Sequence, residues 1–323
     1  MYISKFQNNV VKKYNKNIIN GQIEIATFPC LCGNDIEEKF TKIYSKDRYG
    51  LLCQSVICKD CGLVQLRTRL TDNEYSEFYI SDDYRVLYGD KDYLNTYKLK
   101  YLDTYNSHIL NNLSNIMTEN NLNTVLEFGC GGGWKLLPFY EAGYNATGYD
   151  YSANLVELGK NNYELNLIQG TASEVKGMYD VIVINHVLEH LTDFFADMNL
   201  LMKHLNPNGV IYAGVPNIDN FSRDQFQNAH IYYFSPRTFK YFMSECELEL
   251  IKFGSDPSGA HMYGVFKQSR GQCGKLPNLH SEYSFMKRKI ILGKLKVAII
   301  ETLERAGLKE YIKNMYRYIG LKW

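Results

Sequence analysis

Three groups of residues have the types and spacing to do chemistry. The first is VLEFGCGGGW, residues 125–134. Glycine is packed this densely where a backbone must turn sharply or lie against a flat partner. A dinucleotide fingerprint, G-x-G-x-x-G counted from Gly129, needs glycine at 134, where this chain has Trp134. The pattern is instead an acid, Glu127, followed by Gly129, Gly131 and Gly133, with a second acid, Asp150, 150 − 127 = 23 residues after the first. A carboxylate about twenty residues on is where a ribose diol is met. The second group is cysteine. FPCLCGND supplies Cys30 and Cys32, and ICKDCGLVQ supplies Cys58 and Cys61. Two close pairs, each followed by glycine, have the form of paired knuckles giving four thiolates to one tetrahedral zinc. Four thiolates leave no position for water, so such a site is structural. The first pair is one residue shorter than the usual knuckle. Cys53 stands as a substitute ligand, and buried free thiols are the alternative reading. The third group is histidine: His186 and His190 in NHVLEHLTD, and His230 in QFQNAHIYYFSP. Histidines that follow strand ends are candidate general bases. A zinc-hydrolase reading of H-x-x-E-H needs both histidines on one helix, whereas His186 falls where a strand ends.

These residues need a frame. From residue 124 short apolar strands (TVLEF, NATGYD, LNLIQG, YDVIVIN, GVIYAGVP, LELIKFG, HMYGVFKQ) alternate with helical segments (WKLLPFYEAG, SANLVELGKNN, LTDFFADMNLLMKHL, SPRTFKYFMSEC). That alternation predicts an α/β domain with a mostly parallel sheet covered on both faces, and ligands in such sheets bind at the carboxyl ends of the strands. Ser152 is placed as an N-cap, and Ser235 with Pro236 as cap and first helical residue. The glycine loop then follows the first strand and opens the first helix, where backbone N–H groups point outward. Upstream, Thr71 and Glu74 have capping-box spacing, which puts Tyr75, Phe78 and Tyr79 on one helical face. Tyr84, Arg85 and Tyr88 follow in a less periodic stretch. It reads either as a packed connector or as a lid over a pocket. Residues 91–121 read as helix, with Tyr93, Tyr97, Leu99, Tyr101, Leu102 and Ile109 recurring at three- and four-residue spacing.

Taken in order, VLEFGCGGGW, TGYDYS, IQGTASEV, YDVIVINHVLEHL and LNPNGVIYAGVPN resemble the motifs of class I S-adenosylmethionine-dependent methyltransferases, over about residues 122–268. The resemblance implies a Rossmann-like seven-stranded sheet. It implies that Glu127 and the backbone of Gly129, Gly131 and Gly133 hold the methionine part of S-adenosyl-L-methionine. Asp150 would take the ribose hydroxyls, with Tyr151 beside the adenine and Thr171 and Ala172 at its edge. Asn185 and His186 would lie under the sulfonium. The paired cysteines ahead of this core resemble bacterial enzymes with an N-terminal zinc-binding module, some of which methylate carrier-linked sugars. In related sugar C-methyltransferases a histidine before an aromatic-Phe-Ser/Thr turn is the presumed base, which points to His230. The carboxylate that often precedes it is replaced here by Ala229. His230, His186 and Tyr84 form the candidate catalytic set. Some O-methyltransferases of the superfamily have E-x-x-E-H and magnesium at the HVLEH position. Here His186 replaces the first Glu and leaves one carboxylate, Glu189, whereas magnesium prefers oxygen ligands. The bland reading of His190 is a packed residue that orients its neighbours.

The whole-chain properties bound the function. The domains expected are a zinc-binding module over 1–80, a helical connector or lid over 81–121, the cofactor-binding domain over 122–270 and a helical extension over 271–323. With 36 Lys and Arg against 35 Asp and Glu, no global basic field recruits nucleic acid. That counts against the rival reading of an RNA methyltransferase. A non-catalytic cofactor-binding protein is the other rival, which intact Glu127, glycine loop and Asp150 cannot by themselves dismiss. The segment MYISKFQNNVVKKY lacks the apolar core of a leader, and no run approaches the ~18 apolar residues of a membrane span. The expected compartment is the cytoplasm, where cysteines serve metals and cores more than disulfides. Residues 281–323 carry ten Lys and Arg against four Glu, net +6, with helical periodicity. They are expected to pack or dimerise, with peripheral membrane association as the alternative. The function expected is methyl transfer, to oxygen or carbon, onto a small molecule such as a sugar or glycan precursor.

Overall fold

The computed structural model describes residues 3–88, 93–269, 279 and 281–307. The Tyr93 and Tyr97 side chains and the tail beyond residue 307 lie outside the described residues. The chain opens with helix α1 (Lys5–Ile19), started by a capping box between Ser4 and Gln7. Four strands follow, β1 (Ile25–Thr27), β2 (Phe40–Lys46), β3 (Leu52–Cys58) and β4 (Val64–Leu70), all antiparallel to their neighbours in the order β1-β4-β3-β2. Helices α2 (Asp72–Ile80), α3 (Asp82–Tyr88), α4 (Tyr93–Lys100) and α5 (His108–Glu119) then lead to the second sheet.

That sheet contains β5 (Thr124–Phe128), β6 (Asn145–Asp150), β7 (Asn166–Gln169), β8 (Tyr179–Asn185), β9 (Leu205–Pro216), β11 (Leu248–Ser255) and β12 (His261–Gln268). The order is β11-β12-β9-β8-β5-β6-β7. Strands β5 to β9 pair in parallel, and β12 runs antiparallel to both neighbours. All seven expected strands form. The short α6 (Leu137–Glu141), α7 (Ala153–Tyr163), α8 (Phe194–Met202) and α9 (Pro236–Glu245) occupy the four helical segments. Alternation decides which face each strand residue serves. Val125, Val181 and Val183 enter the core shared with α5 and α7, whereas Leu126, Ile182 and Ile184 enter the opposite one with α8 and α9. The second core runs on into the N-terminal part, where Tyr14, Leu63, Leu70, Tyr75 and Phe78 join it.

The first sheet also takes a strand from the second domain. Strand β10 (Tyr232–Tyr233) pairs antiparallel with Gln65 and Val64 of β4, and Leu66 N donates to Ile231 O. So the sheet of the cysteine-bearing segment is completed by residues inside 122–270. Helix α10 (Glu282–Arg305) lies against this sheet, with Met286 and Ile290 buried beside Ile57, Val64 and Tyr233.

Two local expectations are corrected, and a third holds in position only. The helix expected over 91–121 is broken: a 3-10 turn, Thr104–Ser107, is capped by the Asp103 carboxylate accepting from Tyr105 N and separates α4 from α5. The capping box at Thr71 does not close, because Glu74 Oε1 instead accepts from Glu24 N and Thr71 Oγ1 finds no partner among the described residues. Ser152 stands at the N-cap of α7 without a side-chain bond, its own N–H being held by Asp150. Ser235 does close a box with Thr238, with Pro236 as first helical residue.

Candidate functional site

A cavity of about 710 Å³ opens at the carboxyl ends of the parallel strands. Its floor is the turn after β5. Gly129 sits at φ +74°, and a Cβ there would lie 2.2 Å from Val187 Cγ2, so only glycine lets the backbone pass under that loop. Of the residues expected to hold a cofactor, Glu127, Gly129, Gly131, Asp150, Tyr151, Thr171, Ala172, Asn185 and His186 all line this cavity. Gly133 does not. It packs against Leu165 and Leu167, where a Cβ would come within 2.7 Å. Helices α2 and α3 contribute Tyr75, Tyr79, Tyr84 and Arg85 to its lining.

The two acids behave differently. Asp150 is already engaged: Oδ2 accepts from Gly131 N at 2.7 Å and Oδ1 from Ser152 N at 2.8 Å. Burial pushes its carboxyl up, and those two bonds pull it back. Glu127 is 3% exposed, and its Oε2 has no partner among the described residues. Burial pushes its carboxyl well above the usual range, while the Lys135 ammonium pulls it down. A buried, unpaired carboxylate oxygen on a cavity wall is costly unless a ligand brings it a donor. That orphan, with glycine backbone as floor, fits a ligand carrying N–H or O–H donors such as the amino-acid end of S-adenosylmethionine.

The histidines are arranged in a way the sequence did not show. His186 follows the last residue of β8 at φ +57°, a left-handed conformation that strains a non-glycine residue. Its Nδ1 lies 3.2 Å from Oε1 of Glu189, whose carboxylate is 1% exposed and has no partner for Oε2 among the described residues. Burial pushes Glu189 up, but the His186 hydrogen bond and the charge of the neighbouring imidazoles outweigh it and hold the carboxyl at about 2. A carboxylate accepts from Nδ1–H, which in the neutral ring is the tautomer whose lone pair lies on Nε2. His190 also lines the cavity, and its Nδ1 donates to Ala229 O at 2.7 Å. His230, expected as the base, is not among the lining residues. Its ring stands edge-on to His190 at 4.8 Å and its Nε2 meets the Gln227 amide. Burial drives its imidazole well below the ordinary value. Glu189, His190 and His230 bring donor atoms within 4.8 Å of one another, one carboxylate with two imidazoles rather than the oxygen-rich set magnesium prefers. Sequence reasoning missed Glu189 as the partner of His186, although its i+3 spacing was visible, and missed Trp134 and Lys135 beside the glycine loop. A smaller cavity of about 120 Å³ shares Lys135, Asn185 and His186 and adds His108 and His261, the latter ring 4.8 Å from His186.

Away from the cavity the four cysteines meet. Cys30 and Cys32 follow β1, and Cys58 and Cys61 flank the turn into β4. The Cys30–Cys61 and Cys32–Cys58 sulfurs are 3.5 and 3.7 Å apart, and all four lie within 4.8 Å of one another. Asn34 Nδ2 and Leu63 N point at Cys58 and Cys61 sulfurs, as donors to thiolates do. Cys53 is not in the cluster; it lies in the core with Ile43, Ile57 and Met286.

Comparison with known proteins agrees with this geometry. Residues 99–252 match the family described as methyltransferase domain. The chain is 32% identical over 93 residues to the ubiquinone biosynthesis O-methyltransferase of Rickettsia akari, covering 27% of this chain and 37% of that protein. The corresponding Rickettsia prowazekii protein is 31% identical over 100 residues, covering 29% and 40%. The match thus spans well under half the length of these curated relatives. Among solved structures, magnesium protoporphyrin IX methyltransferase from Synechocystis, with bound SAH, is 15% identical over 62% of this chain and 100% of that one, with a TM-score of 0.47.

Proposed function

We propose that the protein is an S-adenosylmethionine-dependent methyltransferase that acts on a hydroxyl-bearing small molecule, a sugar or glycan precursor being the acceptor class we favour. The observation that carries this reading is the cavity that joins the orphaned Glu127 to the His186–Glu189 pair. S-adenosylmethionine, when bound, supplies a methyl group on a good leaving group. The chain's own work is then to bind, orient and remove a proton. Glu127 Oε2 accepts a donor from the ligand, and the Gly129–Gly131 backbone gives it a close floor. Tyr75, Tyr79 and Tyr84 shield the pocket from water and offer aromatic faces to an acceptor ring. Glu189 orients His186, whose Nε2 takes the proton from the acceptor hydroxyl, a dyad worth roughly 10²–10⁴ in rate. This moves the base from His230 to His186 and leaves His230 and Tyr84 to shape the acceptor side. The Cys30, Cys32, Cys58 and Cys61 cluster would hold a structural zinc, with no open position for chemistry.

The test has two arms. Saturating SAH should raise the melting temperature, since ligand at a hundredfold its Kd stabilises by about 2.7 kcal/mol; no shift at millimolar ligand refutes the cofactor. Transfer of labelled methyl from S-adenosylmethionine is then followed on nucleotide-linked sugars and, separately, on quinols. His186→Ala should lose turnover on the true acceptor by roughly a hundredfold or more. Near-normal turnover would return the role to another residue, and turnover on quinols alone would reject the sugar class.

A further inference from the structure

We infer that helix α10 is a docking surface for an anionic lipid bilayer. Its two faces are sharply different. The inner face is anchored: Glu282 pairs with Arg237 at 3.3 Å, Met286 and Ile290 are buried, and a Cβ on Gly293 would strike Phe221 at 2.1 Å. The outer face carries Leu292, Leu295 and Ile299, which are 65%, 55% and 58% exposed, with Phe285 at the near end. The spacing 285, 288, 292, 295, 299 is one helical stripe, roughly opposite the buried positions 286 and 290 and the half-buried Gly293. Arg288 and Lys296 stand one turn before and after Leu292, and neither has a carboxylate partner among the described residues. Between residues 283 and 300 the chain has five Lys and Arg and no Asp or Glu.

Charge decides which occupant covers this stripe. A second copy of the chain, paired antiparallel about Leu292, would set Arg288 against the other copy's Lys296, with no acid in the stretch to answer either. An anionic lipid surface answers both cations while the leucines enter the acyl boundary. The helix is not built to span: among the described residues none is long and apolar enough to cross a membrane. It lies along the surface with its apolar stripe down.

Co-sedimentation of the full chain with phosphatidylcholine–phosphatidylglycerol vesicles tests the inference. Binding is expected at low salt, weak on phosphatidylcholine alone, and much reduced at about 1 M salt, where the Debye length falls to roughly 3 Å. Leu292→Glu with Leu295→Glu should cut vesicle affinity by about tenfold per leucine. Arg288→Gln with Lys296→Gln should cut it by more than tenfold, each cation near an anionic surface being worth about 1 kcal/mol. Each pair is outward-facing, so an unchanged melting temperature confirms that the fold is intact. Absence of binding by the unaltered chain overturns the inference, as does binding that the leucine pair does not affect. A dimer in solution that Leu292→Glu dissociates, with no vesicle binding, would assign the stripe to self-association instead.

Discussion

Asp47 joins three parts of the molecule that meet nowhere else in sequence, and its removal gives a quantitative test of the structure. The side chain is 3% exposed. Oδ1 accepts from the backbone N–H groups of Tyr49, Gly50 and Leu51, each at 2.8 Å. Oδ2 accepts from Tyr88 Oη at 3.0 Å and Asn228 N at 3.2 Å. One carboxylate thus closes the turn between β2 and β3, fixes the end of α3, and holds the loop that carries Ala229 and His230. In Asp47→Ala, Gly50 N keeps its bond to Asp47 O, and Asn228 N keeps Tyr88 Oη. Tyr49 N, Leu51 N and the Tyr88 hydroxyl lose their acceptor. At about 1–3 kcal/mol for each buried unpaired donor, three orphans cost about 3–9 kcal/mol. Burial raises the carboxyl of Asp47, so its charge is held at some expense, and removing it recovers part of that cost. The expected loss is therefore about 3–5 kcal/mol, in the range of broken buried networks. Asp47→Asn keeps one acceptor and should lose only about 1–2 kcal/mol. Urea unfolding with an unchanged m-value measures both. SAH affinity of the folded fraction should not change, because Asp47 does not line the cavity. A loss below about 1 kcal/mol for the alanine variant, or equal losses for the two, would refute the reasoning.

Two further outcomes are expected. Burial pushes the Asp180 carboxyl up, but bonds from Asn123 N, Thr124 N, the Thr124 hydroxyl and Asn206 outweigh it and hold it below the usual range. A depressed folded pKa contributes stability that is present above the unfolded value of about 3.9 and is lost as pH falls through the folded one. Unfolding free energy should therefore fall more steeply below about pH 4 in the unaltered protein than in Asp180→Asn; parallel acid profiles would contradict this. For the cysteine cluster, metal analysis should find about one zinc per chain. A strong chelator should lower the melting temperature, Cys61→Ser should lose the metal, and Cys53→Ser should keep it. Zinc-free protein of undiminished stability would remove the metal from the site.

Much of the fold was legible because it is written in short-range patterns. Alternating apolar strands and helices mark the second sheet, since a strand's two faces repeat every second residue and a helix's every three or four. The loop of Glu127, Gly129 and Gly131 was legible for the same reason, as were the two cysteine pairs: each is a backbone requirement or a ligand set within a few residues. Interactions between segments distant in the chain were not. Glu74 had the right spacing to close a cap on Thr71, yet it bonds to Glu24 N, fifty residues away. His230 looked like the base, yet packing of the β10 segment against β4 and the turn at Glu189 sets it beside His190 and outside the cavity lining. The sequence by itself determined the strands, the glycine floor and the cluster of thiols. Only the tertiary structure decided that Glu189 pairs with His186, that Glu127 Oε2 is left unpaired among the described residues while both oxygens of Asp150 are engaged, and that β10 completes the N-terminal sheet. Local rules fix where a chain turns and which face it buries. Which distant donor reaches a carboxylate depends on how those faces pack.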